Sequence, residues 1–334
     1  MSKIAFLYPG QGSQKVGMGK ELLRSHPVLF KRYVMQSDRV SGELVSRISL
    51  MGSIEQLSQT HIAQPALFTY SLALTEYARQ LDLRPNMVAG HSLGEYTAAV
   101  AAGALSFQEG LELVCKRGHL MKAAQDEHPG AMAAIVGLPK NELEPICQEI
   151  SRRDLVQVTN WNAPEQLVVS GTMSGVQRLT ELLSIRKGIT VLPLSAKGAF
   201  HSSLMIGVQK QIREETSKLN WRNSDVPLVA NATGKPLTQG SEIQQELIEQ
   251  IASPVQWVLC MQELIANGCD TFIELGAGQV LTKLVRKIAP QATALAIDTP
   301  DKLEQYIQSR QVATQPSVAP VMLSALGQAG EDIA

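Results

Sequence analysis

The sequence predicts an α/β protein, a parallel sheet flanked by helices, with a second and smaller unit inserted in the chain. Short apolar runs alternate with longer helical patterns on both sides of the chain's middle. Between about residues 131 and 194 the order changes to strand, helix, strand, strand, helix, strand. With 334 residues and 44% hydrophobic content, there is enough apolar material for one large core and a small satellite.

Residues 4–8 read as a first strand that enters the loop Pro9-Gly10-Gln11-Gly12-Ser13-Gln14. Residues 65–81 have helical periodicity, with Leu67, Tyr70, Leu74, Tyr77 and Leu81 along one stripe. Met87-Val88-Ala89 is a buried strand, and a helix of small residues starts near Leu93. Ser106 is a good N-cap for a helix over 107–124. The middle follows with strand 131–137, helix 141–152, strands 155–160 and 166–170, helix 174–186 and strand 189–194. This βαββαβ order is the ferredoxin-like pattern, a self-contained small domain. His128-Pro129-Gly130 and Lys197-Gly198 are its expected hinges, which sets the insert at 128–197 and the large domain at 1–127 and 198–300. After the insert come helix 202–218, strand 228–230, helices 241–251 and 258–267, strand 271–274, the turn Gly276-Ala277-Gly278 and helix 280–288. From Gln311 to Ala334 the chain reads as a disordered tail, too poor in apolar residues to offset its ordering entropy.

Composition narrows the function classes. The 30 basic and 31 acidic residues nearly cancel, which argues against nucleic acid or an anionic membrane as partner. Aromatics make up only 4%, too few for base-stacking platforms. Cys115, Cys147, Cys260 and Cys269 show neither CxxC pairing nor metal-ligand spacing, and each lies in an apolar stretch, so buried free thiols and a reducing, cytoplasmic setting are expected. The N-terminal apolar run is too short for a signal peptide. Residues 311–330 are uncharged, but Pro316, Pro320 and the many polar residues exclude a membrane helix.

The sharpest chemical signal is Gly90-His91-Ser92-Leu93-Gly94, a GxSxG sequence between a predicted strand and a predicted helix. On such a turn the serine Oγ is exposed, and the helix N-terminus lends positive charge where an oxyanion would form. A serine nucleophile needs a base, and there are six histidines. His26 precedes a proline, His61 reads as a loop residue, and His119 and His128 lie on or just after the helix leading into the insert. His91 adjoins the serine, but adjacent side chains on a sharp turn point apart. His201 remains, at the junction where the insert returns to the large domain and a cleft is expected; a histidine that merely caps the following helix is the alternative. Arg117 shares a helix face with Gly110, Leu113, Val114, Met121 and Ala124, so its charge requires a buried anion. That anion is either a substrate carboxylate or a protein carboxylate. Its neighbour Lys116 is expected to pair with Glu112 on the solvated face. The loop Gly10–Gln14 matches neither GxGxxG nor a P-loop, and backbone N–H groups offered to an oxyanion are its better use.

Several motifs in order give the chain a resemblance to the malonyl-CoA:acyl-carrier-protein transacylase family, including stand-alone acyltransferases of polyketide synthases. They are PGQGSQ at 9–14, QPAL at 64–67, GHSLGEY at 90–96, Arg117-Gly118, NAPEQ at 162–166, GAFH at 198–201, PVQW at 254–257 and ELGAG at 274–278. The resemblance spans nearly all of residues 3–290 and implies an α/β-hydrolase-like large domain with a ferredoxin-like insert. It further implies Ser92 as nucleophile, His201 as base, the backbone N–H groups of Gln11 and Leu93 as oxyanion hole, and the backbone carbonyl of Gln250 as orienter of the histidine. Arg117 would clamp the malonyl carboxylate, with Phe200, Met121 and Gln166 at the substrate. Phe200 and Leu93 resemble malonyl-selecting members. The implied reaction is ping-pong transfer from malonyl-CoA to the phosphopantetheine thiol of an acyl carrier protein, with no metal or redox cofactor. A hydrolase that clears carrier proteins is the rival, and a buried carboxylate clamp speaks against it. A carrier-binding scaffold without catalysis would be expected to lack Ser92 or His201, and both are present.

Overall fold

A computed structural model describes residues 3–195 and 198–314. The ten strands are β1 (Lys3–Tyr8), β2 (Met87–Gly90), β3 (Gly130–Val136), β4 (Val156–Ala163), β5 (Gln166–Thr172), β6 (Thr190–Pro193), β7 (Leu228–Val229), β8 (Pro236–Leu237), β9 (Cys269–Leu275) and β10 (Thr293–Ile297). They form two sheets. The larger has the order β10-β9-β1-β2-β7-β8 and is parallel apart from the β7–β8 pair. Both faces of β1 and β2 are buried, which explains why they read as continuous apolar runs and not as alternating ones.

The smaller sheet has the order β4-β5-β3-β6 with every pair antiparallel. Helices Lys140–Ile150 and Met173–Ser184 cover it, and Ile135, Leu143, Leu167, Leu179 and Leu183 form a core of its own. This is the ferredoxin-like arrangement that the element order predicts, with each element within a few residues of its expected place. Lys197, the expected exit hinge, lies outside the described residues. The insert is also tied laterally to the large unit: Trp161 N–H donates to the Val255 carbonyl (2.9 Å) and Val255 N–H to the Thr159 carbonyl (2.9 Å).

Two helices of 21 residues, Thr60–Gln80 and Phe107–Glu127, pack side by side behind the large sheet. Ser106 caps the second through a capping box with Glu109. The first begins earlier than expected and carries Pro65 inside it, so His61 is a helix residue and not a loop residue. Lys116 pairs with Glu215 (3.6 Å), not with Glu112, because the helix Ile206–Thr216 packs within reach and Glu112 accepts from Gln108 instead.

The C-terminal boundary also differs. A helix runs over Pro300–Thr314, so the expected start of the tail at Gln311 falls within it; residues 315–334 lie outside the described residues. Leu303 buries completely, Tyr77 donates to Glu304 (2.5 Å), and Lys15 and Lys302 both hold Asp298 at the helix start. The Tyr77–Glu304 and Lys15–Asp298 contacts reach across more than two hundred residues of sequence, which no local pattern could show. All four cysteines are free and buried. Among the described residues, no helix is long and apolar enough to cross a membrane.

Candidate active site

β2 ends at Gly90 and the helix Leu93–Ala101 begins three residues later, so the chain turns within a very short span. Ser92 takes up that turn with φ 53° and ψ −106°, a conformation a residue with a Cβ enters only under constraint. The glycines on either side are sterically required. A Cβ at Gly90 would lie 1.9 Å from the Gly94 carbonyl, and one at Gly94 would lie 1.9 Å from the Tyr8 oxygen. Asn231, just past β7, braces the turn by accepting from Ser92 N–H (2.8 Å) and donating to the Gly90 carbonyl (2.7 Å).

Ser92 Oγ lies 2.7 Å from His201 Nε2, and His201 Nδ1 lies 2.8 Å from the Gln250 carbonyl oxygen. The carbonyl only accepts, so Nδ1 carries the proton and Nε2 is left to accept from the serine. The Gln250 oxygen is available because the helix Gly240–Glu249, read from sequence as reaching 251, gives way to a 3₁₀ turn over Gln250–Ala252. Burial, and then the nearby Arg117 charge, push the His201 imidazole down to about 3, so it rests neutral. The capping alternative falls away, since Ser202 caps the next turn, accepting from Leu204 N–H. His91 points elsewhere, with Nε2 2.8 Å from Asn162 Oδ1.

Arg117 is 1% exposed. Its Nη1 donates to Gln64 Oε1 (2.7 Å), its Nη2 to Gln250 Oε1 (3.1 Å) and to Ser92 Oγ (3.1 Å), and the guanidinium lies 4.9 Å from the Tyr96 ring centroid. These partners are neutral, and among the described residues no carboxylate forms an ion pair with it. Its Nε has no partner. Burial works against the charge, but guanidinium stays protonated in proteins. A buried cation thus stands beside the serine with no protein carboxylate in contact with it; Glu95 lies beyond the Gln250 amide.

A cavity of about 200 Å³ opens over Ser92 and His201. Arg117, Met121, Met132, Gln166, Val168 and Phe200 are among its walls, so the three expected substrate residues besides Arg117 all reach it. Gln166 Oε1 also accepts from Lys287 (2.7 Å). Gln11 lines the same cavity, and its loop is pressed against the elbow: a Cβ at Gly10 would lie 2.4 Å from the His91 oxygen. Leu93 is the first helical residue, whose N–H the helix itself leaves unpaired; its side chain is buried in the core and does not line the cavity.

Gln64, Asn162 and Asn231 are site residues that local reasoning misses. The first two fall within the QPAL and NAPEQ motifs, which could have flagged them. Asn231 stands among small residues in Ala230-Asn231-Ala232, with no signal of its own.

The acyl transferase domain family matches residues 5–308. A malonyl CoA-acyl carrier protein transacylase of Bacillus subtilis is 41% identical over 310 residues, 92% of this chain and 98% of that protein. The malonyl-CoA:acyl carrier protein transacylase of Xanthomonas oryzae pv. oryzae superposes with a TM-score of 0.88 at 34% identity, covering 92% of this chain and 98% of that one. A malonyl-transacylase solved in complex with its type II PKS acyl-carrier protein gives 0.87 at 30% identity, covering 92% and 100%. With a family match over most of its length and relatives of this identity aligned nearly end to end, the chain belongs to the malonyl-CoA:acyl-carrier-protein transacylases of the acyl transferase domain family.

Proposed function

We propose that this protein moves a malonyl group from malonyl-CoA to the phosphopantetheine thiol of an acyl carrier protein, through an ester on Ser92, for fatty acid or polyketide synthesis. The observation that carries the substrate assignment is Arg117: a buried guanidinium 3.1 Å from Ser92 Oγ with only neutral protein partners. A malonyl carboxylate supplies the missing anion and is gripped by the charge-assisted hydrogen bonds that guanidinium forms best.

In the first half-reaction Ser92 Oγ attacks the thioester carbonyl while His201 Nε2 takes its proton. The backbone N–H groups of Gln11 and Leu93 meet the oxyanion, and coenzyme A leaves as a thiol with the proton from His201. In the second, His201 takes the proton of the carrier thiol, the sulfur attacks the acyl-serine, and the proton returns to Ser92 as the ester opens. Burial, and then the Arg117 charge, hold His201 below its ordinary range in the free protein. A bound carboxylate offsets that charge, so the substrate itself makes the imidazole a better base. Phe200 at the cavity wall opposes an α-methyl branch, a discrimination of about 1–3 kcal/mol. No metal or redox group is required, and the four buried thiols fit a reducing, cytoplasmic setting.

Brief incubation with malonyl-CoA should add one malonyl mass to the intact protein, on the peptide containing Ser92. Addition of a phosphopantetheinylated carrier should discharge it to the carrier. Label on another peptide, or discharge to water at the same rate without carrier, would overturn the proposal and favour a hydrolase.

A further inference from the structure

Gln250 has a second role besides its main-chain carbonyl. Its side-chain Oε1 accepts from Arg117 Nη2 (3.1 Å), and its Nε2 donates to the Ser92 carbonyl (2.8 Å) and to Glu95 Oε2 (2.6 Å). Glu95 is fully buried, one turn beyond the nucleophile, and its other oxygen accepts from Asn231 N–H (2.8 Å). Glu95 is also hydrogen-bonded to Glu246, which is 4% exposed and accepts from Ala232 N–H (2.8 Å). The reaction as described uses neither carboxyl.

An amide has a donor end and an acceptor end. Guanidinium only donates, so Gln250 serves Arg117 only with its oxygen turned that way. The two acceptors at its other end, the Ser92 carbonyl and Glu95, hold it so. We propose that Glu95 is a positioning residue for substrate choice: by holding the Gln250 amide in this direction it aims Arg117 at the acyl cavity. The inference rests on the reading of Arg117 as the carboxylate clamp. Burial, and then the proximity of Glu246, push Glu95 well above the usual carboxylate range. A glutamine there has one oxygen for the two donors, Gln250 Nε2 and Asn231 N–H, that the Glu95 oxygens accept, so it does not replace the carboxyl.

The test measures single-turnover acylation by malonyl-CoA and by acetyl-CoA, with a thermal melt for each variant. Glu95→Met should lower the malonyl-to-acetyl rate ratio about tenfold, in the range of coupling seen within one hydrogen-bond network. Equal losses with both substrates, or an unchanged ratio, would overturn the proposal. Arg117→Ala, run in parallel, separates the two claims. If it leaves the ratio unchanged, the clamp reading fails; if it lowers the ratio and Glu95→Met does not, only the role of Glu95 fails. Should Glu95→Met not fold, Gln250→Met decides, since it keeps the main-chain carbonyl for His201 and both carboxyls in place. A fall in the ratio supports the proposal, and an equal loss or none overturns it.

Discussion

Ser92 and His201, whose reacting atoms lie 2.7 Å apart, share a positive φ: 53° at the serine and 60° at the histidine. Asp82 is the one other non-glycine residue with this feature among the described residues. Both reacting residues are therefore held in backbone conformations that the surrounding structure must enforce. At Ser92 the brace is Asn231, and beside His201 Ser170 donates to the Phe200 carbonyl (2.6 Å) from the insert.

Removing the base should separate the two histidines near the serine. His201→Ala should slow malonyl acylation by about 10²-fold or more, the usual loss of a positioned general base. His91→Ala should cost less, because His91 is bonded to Asn162 and not to Ser92 Oγ. Rapid-quench acylation of each variant checks this, and a larger loss at His91 would reverse the assignment.

The depressed His201 basicity has a kinetic signature. The imidazole is neutral down to about 3, so kcat/KM for malonyl acylation should stay flat from pH 8 to pH 5. An inflection near 6.5, the ordinary histidine value, would show that His201 is not desolvated in solution. The same displacement affects stability. The unfolded chain binds the extra proton between about 3 and 6.5, so this contribution is fully present above 6.5 and is lost as pH falls through that window.

Arg117→Ala should switch preference, not abolish activity. It leaves the malonyl carboxylate desolvated without a partner, a loss of about 2–5 kcal/mol for such buried pairs. That is roughly 30- to 5,000-fold in kcat/KM for malonyl-CoA. Acetyl-CoA has no carboxylate, and its transfer should be nearly unchanged or improved. Steady-state rates with both donors decide the matter, and equal losses would make Arg117 a structural residue.

Leu303→Ala should destabilise the protein by about 2–5 kcal/mol, because the side chain is fully buried where the last helix meets the main core. Urea unfolding measures it. A change under about 0.5 kcal/mol would mean that this helix is not docked in solution.

The sequence exposes what is local. The strand–GHSLG–helix context places Ser92, and the βαββαβ order places the insert, because turn chemistry and hydrophobic period are short-range properties. Elimination among six histidines reaches His201, but only because domain junctions tend to form clefts. Asn231, Glu95 and Glu246 stay hidden, since each matters through partners far away in sequence, as in the 139-residue separation between Ser92 and Asn231. Lys116 shows the converse: a helix-spacing rule assigned it Glu112, and tertiary packing gave it Glu215. The helix Pro300–Thr314 was missed because its hold on the protein comes from Tyr77, Leu303 and Asp298, not from a strong stripe of its own.

The two backbone hydrogen bonds between β4 and Val255 bear on how this protein could be recombined with its relatives. By chain order the insert is a cassette, entered near Gly130 and left near Gly198. By hydrogen bonding its far edge continues into a segment from another part of the chain. A graft that exchanged only the cassette would set a foreign β4 against the resident Val255 segment, whose Gln256 N–H in turn donates to the Asn231 carbonyl (2.7 Å), next to the brace on the nucleophile. The smallest exchangeable unit is therefore discontinuous: the cassette together with residues 254–257.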